Sequence, residues 1–161
     1  MNSKRERTAV SEIQGGGTYI LVIWVAEDQD VVVGNLGSVP FRAGHYLYVG
    51  SALGALSARL ARHLRQRKAL HWHIDYLLQH GRIEEIWYRV DRRRLECSWA
   101  RALEGLPDVS ALRVRFGASD CPCRTHLFYS PARPEFHTAR LVLGDCGPQT
   151  ALAAPFGGTV L

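Results

Sequence analysis

The spacing of apolar and polar positions changes period several times along the chain, and each change marks an element. GTYILVIWVA is almost unbroken in its apolar character, rich in β-branched and aromatic residues, and closed by the polar EDQD; it predicts a buried strand. QDVVVGNL predicts a shorter second strand joined to the first by the acidic turn, GSVPFRAG supplies turn residues, and HYLYVG predicts a third strand. The period then becomes helical. Leu56, Leu60 and Leu64 recur every four residues as an apolar stripe, with Arg59, Arg62, His63 and Arg67 on other faces. A second helix is expected from about His73 to His80, ending at Gly81. IEEIWYRV alternates as a strand does, and LECSWARALEG is helical, with Leu95, Trp99 and Leu103 on one side and Gly105 as terminator. ALRVRFG and THLFYS predict two more short strands around a pair of cysteines, and ARLVLG suits a strand or a short helix.

This order predicts an α/β domain: a small, mostly antiparallel β-sheet flanked by helices. Residues 1–16 are expected to form a flexible basic, glycine-rich lead, residues 17–145 a single domain, and residues 146–161, with no charge after Asp145, a loose tail. A length of 161 residues suits one well-buried core rather than two.

The formal net charge of +5 favours an anionic partner only weakly, but its distribution says more. Arg59, Arg62, Arg65, Arg67 and Lys68 fall between Leu56 and Leu70 with no acidic residue among them. The longest apolar run, YILVIWVA, is far short of the roughly 20 residues a bilayer requires, and MNSKRERTAVSEIQGGG has no apolar signal-peptide core. A cytoplasmic protein is expected, with no membrane partner and with Cys97, Cys121, Cys123 and Cys146 mainly reduced.

Candidate chemistry falls in three places. Gly17-Thr18-Tyr19 and Tyr48-Val49-Gly50 each bring a phenol next to a glycine on strands that could be neighbours. A phenol with a pKa of about 10 becomes a useful base only where cations favour its ionised form. Arg59 and His63, one helical turn apart, are placed to supply that environment. The plainer alternative is that both tyrosines are half-buried packing residues. In HWHIDYLL, His71, His73 and Asp75 suit either a metal or a helix cap with a buried polar network. In SDCPCRTHLF, Cys121, Cys123 and His126, with Cys97 from the preceding helix, make a candidate zinc set; the alternative is thiols packed as small hydrophobes. Arg62, Arg65, Arg67, Lys68 and Arg92 to Arg94 suit either phosphate contacts or a solvated face.

The series GTY, YVGSA, Arg59 and His63 resembles the GIY-YIG nuclease superfamily. AGHYLYVGSALG, HWHIDYLL, ECSWARAL and GASDCPCRTHLFY, in that order, resemble a GIY-YIG-like branch found alone or fused to endonuclease-III-type DNA repair glycosylases. The resemblance covers about residues 15 to 145. It implies a metal-dependent endonuclease acting on DNA phosphodiesters, with nucleic acid as partner and DNA repair as setting. Tyr19 and Tyr48 would deprotonate and orient the attacking water, Arg59 would hold the scissile phosphate, and His63 would assist. Glu96 would bind Mg²⁺ or Mn²⁺, although an acidic residue suits the first turn of any helix. Gly17, Gly50, Ser51, Arg62, His73 and Asp75 would shape the substrate site. The tyrosine motifs stand 29 residues apart here, wider than the superfamily pattern, and the insert is expected to widen or cover the site. That departure keeps two alternatives open, a nucleic-acid-binding module that no longer cleaves and a zinc-stabilised accessory domain.

Overall fold

The computed structural model describes residues 9–156. The first apolar run becomes β1 (Gly17–Val25), an inner strand of a six-stranded sheet. β4 (Gly44–Ala52) pairs along one edge of β1 and β5 (Arg82–Val90) along the other. β7 (Leu127–Ser130) and the two-residue β6 (Ser110–Ala111) extend the sheet beyond β4, and β8 (Thr150–Ala153) closes it beyond β5. The order is β6-β7-β4-β1-β5-β8, and every neighbouring pair is antiparallel. The expected α/β class and mostly antiparallel sheet flanked by helices are therefore observed.

Each face of the sheet carries its own core. On one, Tyr19, Leu21, Ile23 and Val25 join Tyr46, Tyr48 and Ile86 against α1 (Leu56–Leu64) and α2 (His73–Leu77). On the other, Ile20, Val22, Leu47 and Trp87 pack with Trp99 and Leu103 of α3 (Glu96–Leu103) and Phe136 and Ala139 of α4 (Phe136–Leu143). β1 is covered on both sides, so its sequence is a continuous apolar run rather than an alternation. Fully burying each such aliphatic side chain contributes roughly 1.5–3 kcal/mol.

Several expectations change. GSVPFRAG is more than a turn: β3 (Ser38–Phe41) pairs with β2 (Gln29–Val32) in a separate two-stranded sheet. Pro40 is tolerated there because the strand has an open side that needs no N–H. Val31, Val39 and Phe41 anchor this hairpin in the core, and the Phe41 ring lies 5.6 Å from Tyr46 and 6.3 Å from Phe116. α2 is one turn long and passes through turns to Gly81, whose N–H donates to the Leu77 carbonyl. Of ALRVRFG only Ala111 lies in a strand, and residues 112–126 are irregular. ARLVLG falls within and just beyond α4.

Both ends of the chain are more engaged than expected. In the lead, Val10 and Ile13 are buried and the Gly15 carbonyl accepts the Leu56 N–H. In the tail, Thr150–Ala153 is β8, Ala151 and Leu152 enter opposite cores, and Phe156 is buried. The composition of the tail concealed this because alanine signals neither helix face nor strand face. Residues 1–8 of the expected lead and 157–161 of the expected tail lie outside the described residues. No helix among the described residues is long and apolar enough to cross a membrane.

The edge strand gives a direct test. Leu152→Ala is expected to lower stability by about 2–3 kcal/mol in chemical denaturation, while Leu141→Ala, at an 84% exposed position, stays within about 0.5 kcal/mol. Equal, small effects would mean that β8 adds nothing to the core.

Candidate functional site

Tyr19 and Tyr48 reach the same face of the sheet because Tyr19 pairs with Gly50 and Leu21 with Tyr48. That register makes the phenols diagonal neighbours across β1 and β4. The Tyr19 ring also fills the place where a side chain at position 50 would go: a Cβ on Gly50 would stand 2.5 Å from the phenol oxygen. Gly117, with φ +69°, does the same for Tyr48, since a Cβ there would lie 2.9 Å from its ring.

Just beyond Gly50, Ser51 ties two further groups together. Its carbonyl accepts from Arg59 Nη1 at 2.9 Å, and its hydroxyl donates to Glu96 Oε2 at 2.9 Å. Glu96 sits in the first turn of α3, whose entry is tethered to β1 where the Leu95 N–H meets Thr18 Oγ1 at 3.3 Å. Tyr19, Tyr48, Gly50, Ser51, Arg59 and Glu96 thus line one cavity of about 410 Å³. His73 lines it too, its Nδ1 accepting the Gly117 N–H at 2.9 Å.

Other expected residues are placed differently. His63 is 3% exposed and does not line the cavity; its Nε2 lies 2.6 Å from the Tyr19 hydroxyl. It belongs to the buried stripe of α1 with Leu56 and Leu60, not to a separate face. Gly17 is also away from the cavity, and its missing side chain lets the β5 backbone approach, since a Cβ would stand 2.1 Å from the Arg89 carbonyl. Arg62 is not a free cation: it makes a bidentate pair with fully buried Asp75 at 2.8 and 2.9 Å. Asp75 also accepts the N–H groups of His71 and Trp72, so it caps α2 instead of facing the cavity. Lys68 donates to the carbonyls of Arg62 and His63 at the end of α1, and Arg93 pairs with Asp91 at 2.7 Å. Arg65 and Arg67 are exposed beyond α1, and exposed Arg94 lines the cavity.

Arg59 and Arg62 both lie over the Trp72 ring, 4.3 and 4.2 Å from its centroid. Arg94, expected as a phosphate contact outside the site, lines the cavity, and so do Trp72, Gly117, Ser119 and Asp120, which were not singled out. The glycine of FGASD was the available signal for the loop turn; Trp72 gave none beyond its place beside Asp75. The insert contributes none of the residues that line the cavity.

Burial decides the protonation states. It holds the Tyr19 phenol well above its ordinary range, although Arg59 pulls the other way, and it does the same to Tyr48. The expected cationic activation of a phenol is therefore outweighed. Burial and nearby Lys68 and Arg59 lower His63 to about 3, and its Nδ1 has no hydrogen-bond partner among the described residues. An imidazolium there would bury an N–H without an acceptor. Burial pulls the Asp75 carboxyl upward, but Arg62 and two backbone N–H groups outweigh it and hold the group at about 2.

Beside the cavity, Cys97, Cys121, Cys123 and His126 form a cluster able to hold a metal ion, with all four ligand atoms within 4.8 Å of one another. Cys121 Sγ and His126 Nε2 are 3.4 Å apart. Burial and the neighbouring thiols push Cys123 up to about 12, so that thiol resists ionising without a cation. Cys146 stands outside the cluster; its carbonyl accepts from Trp99 Nε1. His126 Nδ1 lies 3.1 Å from Glu96 Oε1, out of line for a hydrogen bond.

The family model described as Domain of unknown function DUF123 matches residues 18–143. No curated protein and no solved structure matches the chain.

The state of His63 fixes a pH dependence. The unfolded imidazole binds a proton below about pH 6.5, and the folded one refuses it until about pH 3. Stability contributed by the neutral folded form is thus lost as pH falls below about 6.5, at a slope of up to about 1.4 kcal/mol per pH unit. His63→Gln should flatten that part of the curve in denaturation series between pH 7 and 4. Parallel curves for the two proteins would show His63 already charged in the fold.

Proposed function

The chain belongs to the DUF123 family, and from its site we propose that it is a metal-dependent hydrolase of DNA phosphodiester bonds, GIY-YIG-like in its arrangement. What carries this reading is the convergence on one open cavity of two phenols, the Arg59 guanidinium, which has no ion-pair partner among the described residues, and the Glu96 carboxylate. Arg59 is placed to take a phosphate oxygen, and its stacking on Trp72 keeps the planar fork aimed. Tyr48, at 8% exposure against 1% for Tyr19, is the phenol that meets the attacking water. Tyr19, hydrogen-bonded to His63, orients it. Glu96 is the residue that would hold Mg²⁺ or Mn²⁺. The Glu96 carboxylate suits a hard cation that keeps waters and takes substrate phosphates, and such an ion would supply charge at the leaving oxygen. Ser51 holds Glu96 and Arg59 in one frame, so phosphate and carboxylate are positioned together.

A panel of nicked and branched DNA, incubated with Mg²⁺ or Mn²⁺, should be cut by the wild-type chain and at least about 100-fold more slowly by Tyr48→Phe, Arg59→Ala and Glu96→Gln. The neutral state of both phenols favours one rival, a binding module that no longer cleaves. DNA retained by the wild type with no cutting of any member would establish that rival and sink the hydrolase.

The Cys97, Cys121, Cys123 and His126 cluster is, in this reading, a structural zinc site. Zn–S bonds of about 2.3 Å and Zn–N bonds of about 2.0–2.1 Å at tetrahedral angles place sulfur and nitrogen about 3.6 Å apart, against the 3.4 Å between Cys121 and His126. Protein purified without chelator should carry about one zinc per chain by elemental analysis, and Cys123→Ser should lose it. A zinc content near zero removes this site.

A further inference from the structure

The zinc cluster and the cavity are joined by one side chain. His126 precedes β7, is 1% exposed, and presents Nε2 to Cys121 and Nδ1 to Glu96. As it stands, Nδ1 is a buried nitrogen without an aligned partner among the described residues. Such an orphan is unfavourable unless something specifies its proton and its direction. A metal on Nε2 fixes the proton: it must sit on Nδ1, and that N–H is then a donor 3.1 Å from the Glu96 carboxylate, which turns to align with it. Two more links run the same way. Cys97 is the next residue after Glu96 in the first turn of α3. Cys121 and Cys123 lie on the irregular stretch that carries Gly117, Ser119 and Asp120 into the cavity wall. Within that stretch Arg115 bridges the carbonyls of Ala118 and Cys121, so an ion that fixes Cys121 also fixes the turn before it.

We propose that zinc in the Cys97, Cys121, Cys123 and His126 cluster orients Glu96 through His126, so that the cavity takes its working shape only in the zinc-loaded protein. His126 is then a positioning residue: it acts on the cavity through Glu96 and touches no substrate. The proposal rests on the zinc reading above and not on DNA cleavage. Coupling of this kind is reciprocal. If zinc orients Glu96, Glu96 strengthens zinc binding, and carboxylates hydrogen-bonded to a ligating histidine typically contribute 10- to 100-fold in metal affinity.

The test is zinc affinity of the full chain, measured by chelator competition, together with imidazole ¹⁵N–¹H spectra of His126. In the zinc-loaded wild type a slowly exchanging Nδ1–H is expected. Glu96→Gln should weaken zinc binding about 10-fold or more and shift that signal. Glu104→Gln, which removes the same charge from the exposed far end of the helix, should change neither. Zinc bound by Glu96→Gln as tightly as by wild type, with an unchanged Nδ1–H, overturns the coupling and leaves the zinc site standing. Absence of zinc binding in the wild type overturns both.

Discussion

Nine paired positions between β1 and β4, from Gly17 opposite Ala52 to Val25 opposite Gly44, hold the rest of the molecule in place. β1 is buried on both faces, so a slip of one residue would send Tyr19 to the face opposite Tyr48 and drive a phenol into the α3 and α4 core. The register is enforced at Gly50, whose missing side chain receives the Tyr19 ring. Thr18, one residue earlier, holds the entry of α3 and hence Glu96. Ser51, one residue later on β4, holds Arg59 and Glu96 together. Tyr19, Tyr48, Arg59 and Glu96 are thus all referred to this one pairing.

Charge near the cavity is apportioned by the fold before any ligand is considered. Arg62 is taken by Asp75, Lys68 by the carbonyls ending α1, and Arg93 by Asp91. Among the described residues, the arginines and lysines left facing the cavity are Arg59 and Arg94. The basic helix is therefore less cationic in effect than its residue count implies. What it offers is one stacked, well-directed guanidinium next to two O–H groups that burial keeps protonated. Such a set suits hydrogen bonding to an anion.

Much of this was legible in the chain because the elements that make the cavity are strongly patterned. The β1 run, the YVGS corner, the leucines of α1 and the ECSWARAL helix each announce themselves, and the four groups that meet in the cavity lie on them. The partners of those groups were not legible. Asp75 reads as a metal ligand or a cap until Arg62 is seen folded back on it. The phenols read as activated until burial outweighs Arg59. Pro40 masked β3, because a proline argues against a strand unless the strand has an open edge. The alanine-rich tail masked β8 for lack of any periodic signal. The Cys3His set was visible as residue types, but its contact with Glu96 depends on how residues 112–126 turn, and local sequence does not specify that path.

β8 has a consequence beyond core stability. β5 is nine residues long and apolar at Ile86 and Trp87, and its outer edge would present a row of unpaired N–H and C=O groups. The four residues of β8 occupy that edge from Glu85 to Tyr88. A chain that loses them carries an open template on which another copy can add a strand, so damage to the tail is expressed as self-association and aggregation as well as unfolding.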